Sequence, residues 1–490
     1  MAKSDRSHSE ESNSTWTPQT SSPALPASAL CITEALDAVP LGRFMAGHLL
    51  TMIVAMASLA AVHEAAAYSL WGMKEHLRTT DSGYARLTAV FQIGAAIGCF
   101  AASLLADNWG RRATAIVSSF TGAILHYAAG TAGSMAYLDW LRFAQAICYA
   151  LCMASMNTWY VEFLPTRHRG QLLSALCTGW PIGRGMTIVV SKYFGSAWFA
   201  TWYLAGALQL LVAVIMLFAW ESPRFLLISG DQAKAHQVLA SMHAASGGSW
   251  DQRVHLTMAG TDEETTLFDK GASNTHIFSR INSLVYDHGR LLFFIMVVFA
   301  CLASTSLLLD TWGPLIFQRL FDTDTPQSIM MLFNMGDLGG IFVSIAVADM
   351  VGRRGSLFLG FFMQAFLLAA TAQTSKFLTH TASLFYVPLF FGTMASGCRC
   401  FAWEAASMWL SEVFPTHLRV TAMAVVMPVM RLLSVVTLTA SGELIERASP
   451  AACLAVISVL LFLSGVFVAV CFPFETANVP MSESRRWHAK

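Results

Sequence analysis

Eight ionisable side chains stand inside stretches otherwise apolar enough to cross a bilayer: Glu64, Arg142, Arg184, Asp310, Asp337, Arg399, Glu404 and Arg431. A charge at mid-bilayer costs at least about 2.5–3.5 kcal/mol, so each needs an opposite partner or a wet passage. The chemistry open to such groups is proton exchange and solute recognition. A carboxyl that is desolvated in one state and wetted or paired with a cation in another can exchange a proton between them. Glu64, among alanines and next to His63, suits that role first, with Asp310 and Glu404 behind it; the His63 imidazole could relay the proton. A guanidinium beside an indole suits a planar carboxylate, because it offers a bidentate fork and a stacking face. Arg399 and Trp403 are four apart and share a helix face; Trp180 and Arg184 repeat the spacing. These four residues, with Asp310, Glu404 and Arg142, are the candidate solute contacts.

The elements that must position them come in two related sets. Leu105-Ala-Asp107-Asn-Trp-Gly110-Arg111-Arg112 returns as Val347-Ala-Asp349-Met-Val-Gly352-Arg353-Arg354, and Glu162-Phe-Leu-Pro165-Thr166-Arg-His-Arg169 returns as Glu412-Val-Phe-Pro415-Thr416-His-Leu-Arg419. The offsets, from Asp107 to Asp349 and from Glu162 to Glu412, are about 242 and about 250 residues, far too long for a solenoid repeat. They fit a duplicated membrane bundle whose halves move against each other.

Composition agrees. Of 490 residues, 55% are hydrophobic and only 12% charged, against about a quarter charged in average chains. Thirty basic residues balance thirty acidic ones, which gives a nucleic-acid partner no electrostatic support. The ten cysteines show no paired CxxC set and read as small packing residues. His and Cys lack metal-site spacing, and no nucleophile–base–acid set points to an enzyme. The glycines from Gly336 to Gly340 lack the lysine and the strand context of a phosphate loop.

A bilayer core needs about 20 apolar residues per helix. Twelve such runs begin near Gly47, Tyr84, Arg112, Leu138, Gln171, Phe199, Arg290, Ser328, Ser356, Ser383, Val420 and Ala451. The basic residues of short loops cluster between even spans and the next odd ones, which predicts both termini in the cytoplasm. The expected fold is an all-α polytopic membrane protein with two pseudo-symmetric six-helix bundles. Its expected divisions are a disordered polar tail over 1–44, a first bundle over 45–220, a cytoplasmic linker over 221–289, a second bundle over 290–473 and a tail over 474–490. Within the linker, Gln232 to Met242 has helical periodicity and is expected on the membrane surface or under the bundles.

Together these motifs resemble the major facilitator superfamily over nearly the whole chain. Glu221-Ser-Pro223-Arg224-Phe-Leu-Leu after span 6, and more loosely Pro473-Phe-Glu475-Thr476 after span 12, resemble its sugar-porter-related branch. Ala35-Leu-Asp37-Ala-Val-Pro-Leu-Gly-Arg43-Phe is similar to the start of aromatic-acid proton symporters and synaptic-vesicle-type transporters. Three departures concern the substrate: His63-Glu64-Ala-Ala replaces the Asp-Gly pair of aromatic-acid symporters, Ser304-Thr-Ser-Leu-Leu replaces a sugar-porter phrase, and the loop after span 1 is short.

The resemblance implies that spans 1, 4, 7 and 10 line a central cavity and that 2, 5, 8 and 11 flank it. All eight internal charges lie on those spans. It implies gating by two signature clusters, Asp107, Gly110, Arg111 and Arg112 with Glu162 and Arg169, and Asp349, Gly352, Arg353 and Arg354 with Glu412 and Arg419. Arg142, Asp337 and Arg431 match superfamily positions in spans 4, 8 and 11. An acid in one helix held by an arginine in the next would explain them, with Arg431 as a structural pair and Asp337 also open to proton coupling. The expected function is secondary transport of a small organic solute by alternating access. An organic anion with proton symport leads; a sugar or polyol carrier and a non-transporting nutrient sensor are the alternatives. No cofactor is expected beyond a proton gradient, and no partner beyond solute and lipid: a monomer, multi-pass, in the plasma membrane.

Overall fold

The computed structural model describes residues 29–195, 197–251, 254–257, 273–322, 326–378, 386–414, 416–447 and 449–472. Hydrocarbon offers no water to backbone N–H and C=O groups, so each apolar run closes its own hydrogen bonds as a helix. Among the described residues twelve long helical stretches follow one another. The first six are Arg43–Tyr68 (span 1), Asp81–Trp109 (2), Arg111–Gly130 (3), Met135–Val161 (4), Arg169–Leu176 continued by Gly179–Tyr193 (5) and Ala200–Phe218 (6). Span 7 is the part of Ser273–Phe321 beyond a break at His288, and Pro326–Leu378 divides at Gly352 into spans 8 and 9. Tyr386–Val413, Thr416–Arg447 and Pro450–Cys471 complete the set as spans 10 to 12. Eight stretches of the described residues are long and apolar enough to cross a bilayer by length and composition. Spans 3, 4, 5 and 10 fall short, and the last three of these carry Arg142, Arg184, Arg399 and Glu404.

Packing relies on small residues, as expected where lipid is as apolar as leucine. A Cβ on Gly183 would collide with the Ala57 carbonyl of span 1, and one on Gly340 with the Gly397 carbonyl of span 10. Gly336, unsuited to phosphate, meets the Thr393 carbonyl in the same way. The halves meet along two seams, span 2 against span 11 and span 5 against span 8. At one end of the bundles lie the repeated glycines. Gly110 (φ 95°, ψ 155°) and Gly352 (φ 81°, ψ 168°) hold the same conformation, one that only glycine enters readily. Each lets the chain reverse within a single residue.

The 1–44 tail departs from expectation. Ala29–Cys31 is a strand paired in parallel with His255–Thr257, and Ile32–Asp37 is a helix. Asp37 accepts 2.6 Å bonds from the Thr166 N–H and hydroxyl, and Arg224 donates to the Thr33 hydroxyl at 3.3 Å. Ile32, Ala35 and Leu36 are buried, so apolar burial and these bonds order a stretch whose neighbours in sequence are polar. The linker helix runs Gln232–Ala245 and buries Ala235, Val238, Leu239 and Met242. Its packing against Pro223–Ile228 places it under the first bundle.

Candidate functional site

Five of the eight internal charges meet at the centre. The Arg184 guanidinium donates to Glu64 Oε1 at 2.8 and 3.0 Å, to Asp310 Oδ1 at 2.7 Å and to Asp337 Oδ2 at 2.6 Å. Arg399 donates to Asp310 Oδ1 at 2.6 Å and to Asp337 Oδ2 at 2.7 Å. Ser396 donates to the other oxygen of Asp337 at 2.5 Å. Glu64 and Arg184 belong to the first bundle; Asp310, Asp337 and Arg399 belong to the second. Arg184 therefore clasps the two halves together.

The cluster holds three carboxylates and two guanidiniums. If all are ionised, one negative charge is left over. His63 Nδ1 lies 3.7 Å from Glu64 Oε1 and, among the described residues, has no hydrogen-bond partner. A proton on that ring would balance the cluster.

Towards the signature end the halves part around a cavity of about 240 Å³. Asp310 and Arg399 form part of its wall, with His63, Trp180, Trp403, Glu404 and Arg431. Trp403 Nε1 donates to the Ser306 hydroxyl at 2.8 Å, which fixes the indole against the hollow. Towards the other end the halves are joined: Trp71 Nε1 donates to Gln318 Oε1 at 3.0 Å, the Tyr84 hydroxyl to the Thr311 carbonyl at 3.2 Å, and Asp81 lies 2.5 Å from Lys74 and 3.9 Å from Arg319.

Several sequence expectations are corrected here. Arg184 and Arg399 offer no open fork to an anion, because acids of the neighbouring spans occupy their donors. Arg142 is not at the main cavity. It is buried, donates to the Val62 and His63 carbonyls at 2.8 and 3.0 Å, and lies over the Phe91 ring at 4.1 Å. Its work is to bind the span 1 backbone beside Glu64. Asp337 has 0% exposure and three donors on its two oxygens, so it anchors the cluster and faces no cavity. Among the described residues Arg431 has no carboxylate partner; it donates to Gln92 at 2.9 Å and the Tyr149 hydroxyl at 3.4 Å.

At the signature end, Arg111 Nε donates to Glu162 Oε1 at 3.1 Å, as the motif predicts. Arg112 turns elsewhere: its backbone N–H donates to Glu221, and its guanidinium donates to the Met216 and Leu217 carbonyls closing span 6. Arg354 repeats this, donating to the Ala469 carbonyl near the end of span 12 at 2.6 Å. Cations at helix C-termini are favourable there. Burial pushes the Glu162 carboxyl above the usual range, against the opposing pull of Arg111, and burial likewise raises Glu221. The side chains of Asp107, Asp349, Glu412 and Arg419 lie outside the described residues, as do Pro473, Glu475 and Thr476. Arg169 donates a long 3.5 Å bond to the Leu164 carbonyl, and Arg353 is buried as Arg111 is.

Sequence reasoning missed Glu221, Ser396, Gln92 and Tyr149 as partners. Glu221 stood in the Glu221-Ser-Pro223-Arg224 phrase, and that was the one signal available.

Comparison with known proteins places the chain. The family described as "Sugar (and other) transporter" matches residues 38–487. Organic cation/carnitine transporter 7 of Arabidopsis thaliana is 23% identical over 515 residues, covering 92% of this chain and 96% of its own. A partially occluded, inward-open structure of the E. coli xylose transporter XylE superposes with a TM-score of 0.71 at 15% identity, covering 89% of this chain and 99% of that one. A second XylE structure, described as a proton:xylose symporter, gives 0.65 at 16% identity over 90% and 99%. These findings agree with the duplicated all-α membrane fold read above. The chain belongs to the sugar (and other) transporter family of the major facilitator superfamily, which makes it a multi-pass membrane protein and a secondary transporter of small solutes rather than an enzyme.

Proposed function

We propose that solute transport by this protein is coupled to protons through the central cluster. The observation that carries the reading is the clasp itself: Arg184 is shared between Glu64 of one bundle and Asp310 and Asp337 of the other, with one carboxylate in excess and His63 at 3.7 Å. Alternating access requires the Arg184–Asp310 and Arg184–Asp337 bonds to break. A proton taken up by the His63, Glu64 and Asp310 group removes the surplus charge and weakens the hold of Arg184. Bonds that differ between two states shift the balance between them. The solute occupies the cavity of about 240 Å³ beside the clasp. That is just below the usual range for ligand sites, about 300–1,000 Å³, and so suits a small molecule. A relative described as a proton:xylose symporter supports the coupling.

The signature clusters, including Asp107, Asp349, Glu412 and Arg419, act as the gate at that end. Basic loops place this end, the linker and both termini in the cytoplasm. The protein works as a monomer in the plasma membrane, in the divisions 1–44, 45–220, 221–289, 290–473 and 474–490, with the first amended by the ordered stretch from Ala29. The test is uptake into proteoliposomes under an imposed pH gradient, using a solute first found by its upward shift of the melting point. Glu64→Gln and His63→Gln should each keep solute counterflow and lose gradient-driven accumulation. Unchanged accumulation in both variants overturns the coupling.

A further inference from the structure

The cavity wall has two poles that the clasp does not use. Glu404 of span 10 is 7% exposed and lies against Ser174 and Cys177 of span 5. Among the described residues no cation is paired with it. Arg431 of span 11 faces Gln92 of span 2 and Tyr149 of span 4, both uncharged ligands, and among the described residues its buried Nε has no acceptor. Among the described residues no carboxylate is paired with it. Spans 5 and 10 bound one side of the hollow; spans 2, 4 and 11 bound the other. A buried acid and a buried base thus line one cavity from different sides, each held by neutral neighbours. Trp180, Trp403 and Tyr149 line the same cavity.

An isolated charge in such a setting is costly to keep, unless something with the complementary charge visits it. The two cannot neutralise each other from separate walls, and a solute carrying one charge would satisfy only one of them. We propose that the transported solute is dipolar, a small zwitterion whose ammonium end meets Glu404 and whose carboxylate end meets the Arg431 fork. A quaternary ammonium is favoured by the indole and phenol rings, since cations are attracted to aromatic faces. Arg431 takes the anion-binding role that Arg184 and Arg399 cannot fill. The inference rests on the cavity being the solute site, as proposed above, but not on the proton route.

The test is equilibrium binding to the purified full chain in detergent with four probes: L-carnitine as zwitterion, choline as cation, butyrate as anion and xylose as neutral solute. L-carnitine should bind, and bind more tightly than the other three. Breaking one buried charge pair should weaken it about thirtyfold or more in Glu404→Gln and in Arg431→Gln. Glu404→Gln should then narrow the preference over butyrate, and Arg431→Gln the preference over choline. Glu404→Asp and Arg431→Lys keep the charges and should hold the rank order, which separates a binding role from a folding defect. Choline, butyrate or xylose binding at least as tightly as L-carnitine overturns the proposal, and so does the absence of L-carnitine binding. Unchanged L-carnitine affinity in Glu404→Gln with loss of gradient-driven uptake also overturns it, because Glu404 would then be a proton carrier. Tight L-carnitine binding without flux in liposomes would leave the dipolar site standing and defeat the transport mechanism instead.

Discussion

At the scale of single residues, the protein arranges buried charge by sharing. One guanidinium serves three carboxylates, and one carboxylate, Asp337, takes both central guanidiniums and a hydroxyl. Removing one member of a buried charge network leaves its partners uncompensated, which typically costs about 3–5 kcal/mol. Asp337→Asn should therefore lower stability by that order in detergent unfolding, and a loss under about 1 kcal/mol would contradict the anchoring role. The sequence announces that these groups are special, because hydrocarbon penalises each of them. It does not announce their partners. Glu64 and Arg184 are brought together by the packing of spans 1 and 5, and Arg184 and Asp337 by a seam between bundles, so no spacing along the chain encodes either pair. The open Arg399 fork is missing for that reason: Arg399 and Trp403 do share a face, but the acids of spans 7 and 8 reach the guanidinium first.

At the scale of elements, hairpin geometry and the linker carry the predictions. Gly110→Ala and Gly352→Ala place a side chain in a backbone region that costs roughly 1–3 kcal/mol to hold. At Gly110 the new Cβ would also meet Glu221 Oε2 at 2.6 Å. Both variants should melt earlier than Gly133→Ala, whose Cβ would meet nothing within 4 Å; equal melting points would refute the strain. In the linker, Trp250 Nε1 donates to His236 Nδ1 at 3.1 Å and its ring stacks on His243 at 5.2 Å. Burial lowers the proton affinity of both histidines, with His255 adding to the effect on His236. The folded form thus prefers them neutral. Docking of Trp250 is complete above the ordinary histidine value, about 6.5, and is lost as pH falls through the lowered values. Amide exchange over 245–250, corrected for its intrinsic pH dependence, should rise between about pH 7.5 and about pH 5.5; flat protection would remove the histidines from this role. Helices and their order were legible because apolar runs have one solution in lipid. The parallel pairing of Ala29–Cys31 with His255–Thr257 was not, since three-residue strands so far apart in sequence leave no periodic trace.

For the whole molecule, the two ends of the bundles are unequal in this structure. One is tied across the halves by Trp71 and Gln318, while the cavity opens between them nearer the other. A disulfide engineered at Trp71→Cys and Gln318→Cys should stop solute flux and release it on reduction. Full flux in the crosslinked protein would mean that this end does not part during transport. Each half also braces itself: Arg112 hooks the end of span 6 and Arg354 the end of span 12. Such internal ties leave each half to move as a unit, so that displacement falls on the seams and on the shared Arg184.

The mirrored reversals at Gly110 and Gly352 carry one more consequence. Duplication usually loosens constraint, because a spare copy can drift while the other keeps working. Here each copy turns its own bundle, and both turns use a torsion that residues with a Cβ hold only under strain. Neither site can compensate for the other, so the doubled fold carries the demand for glycine at two positions rather than one.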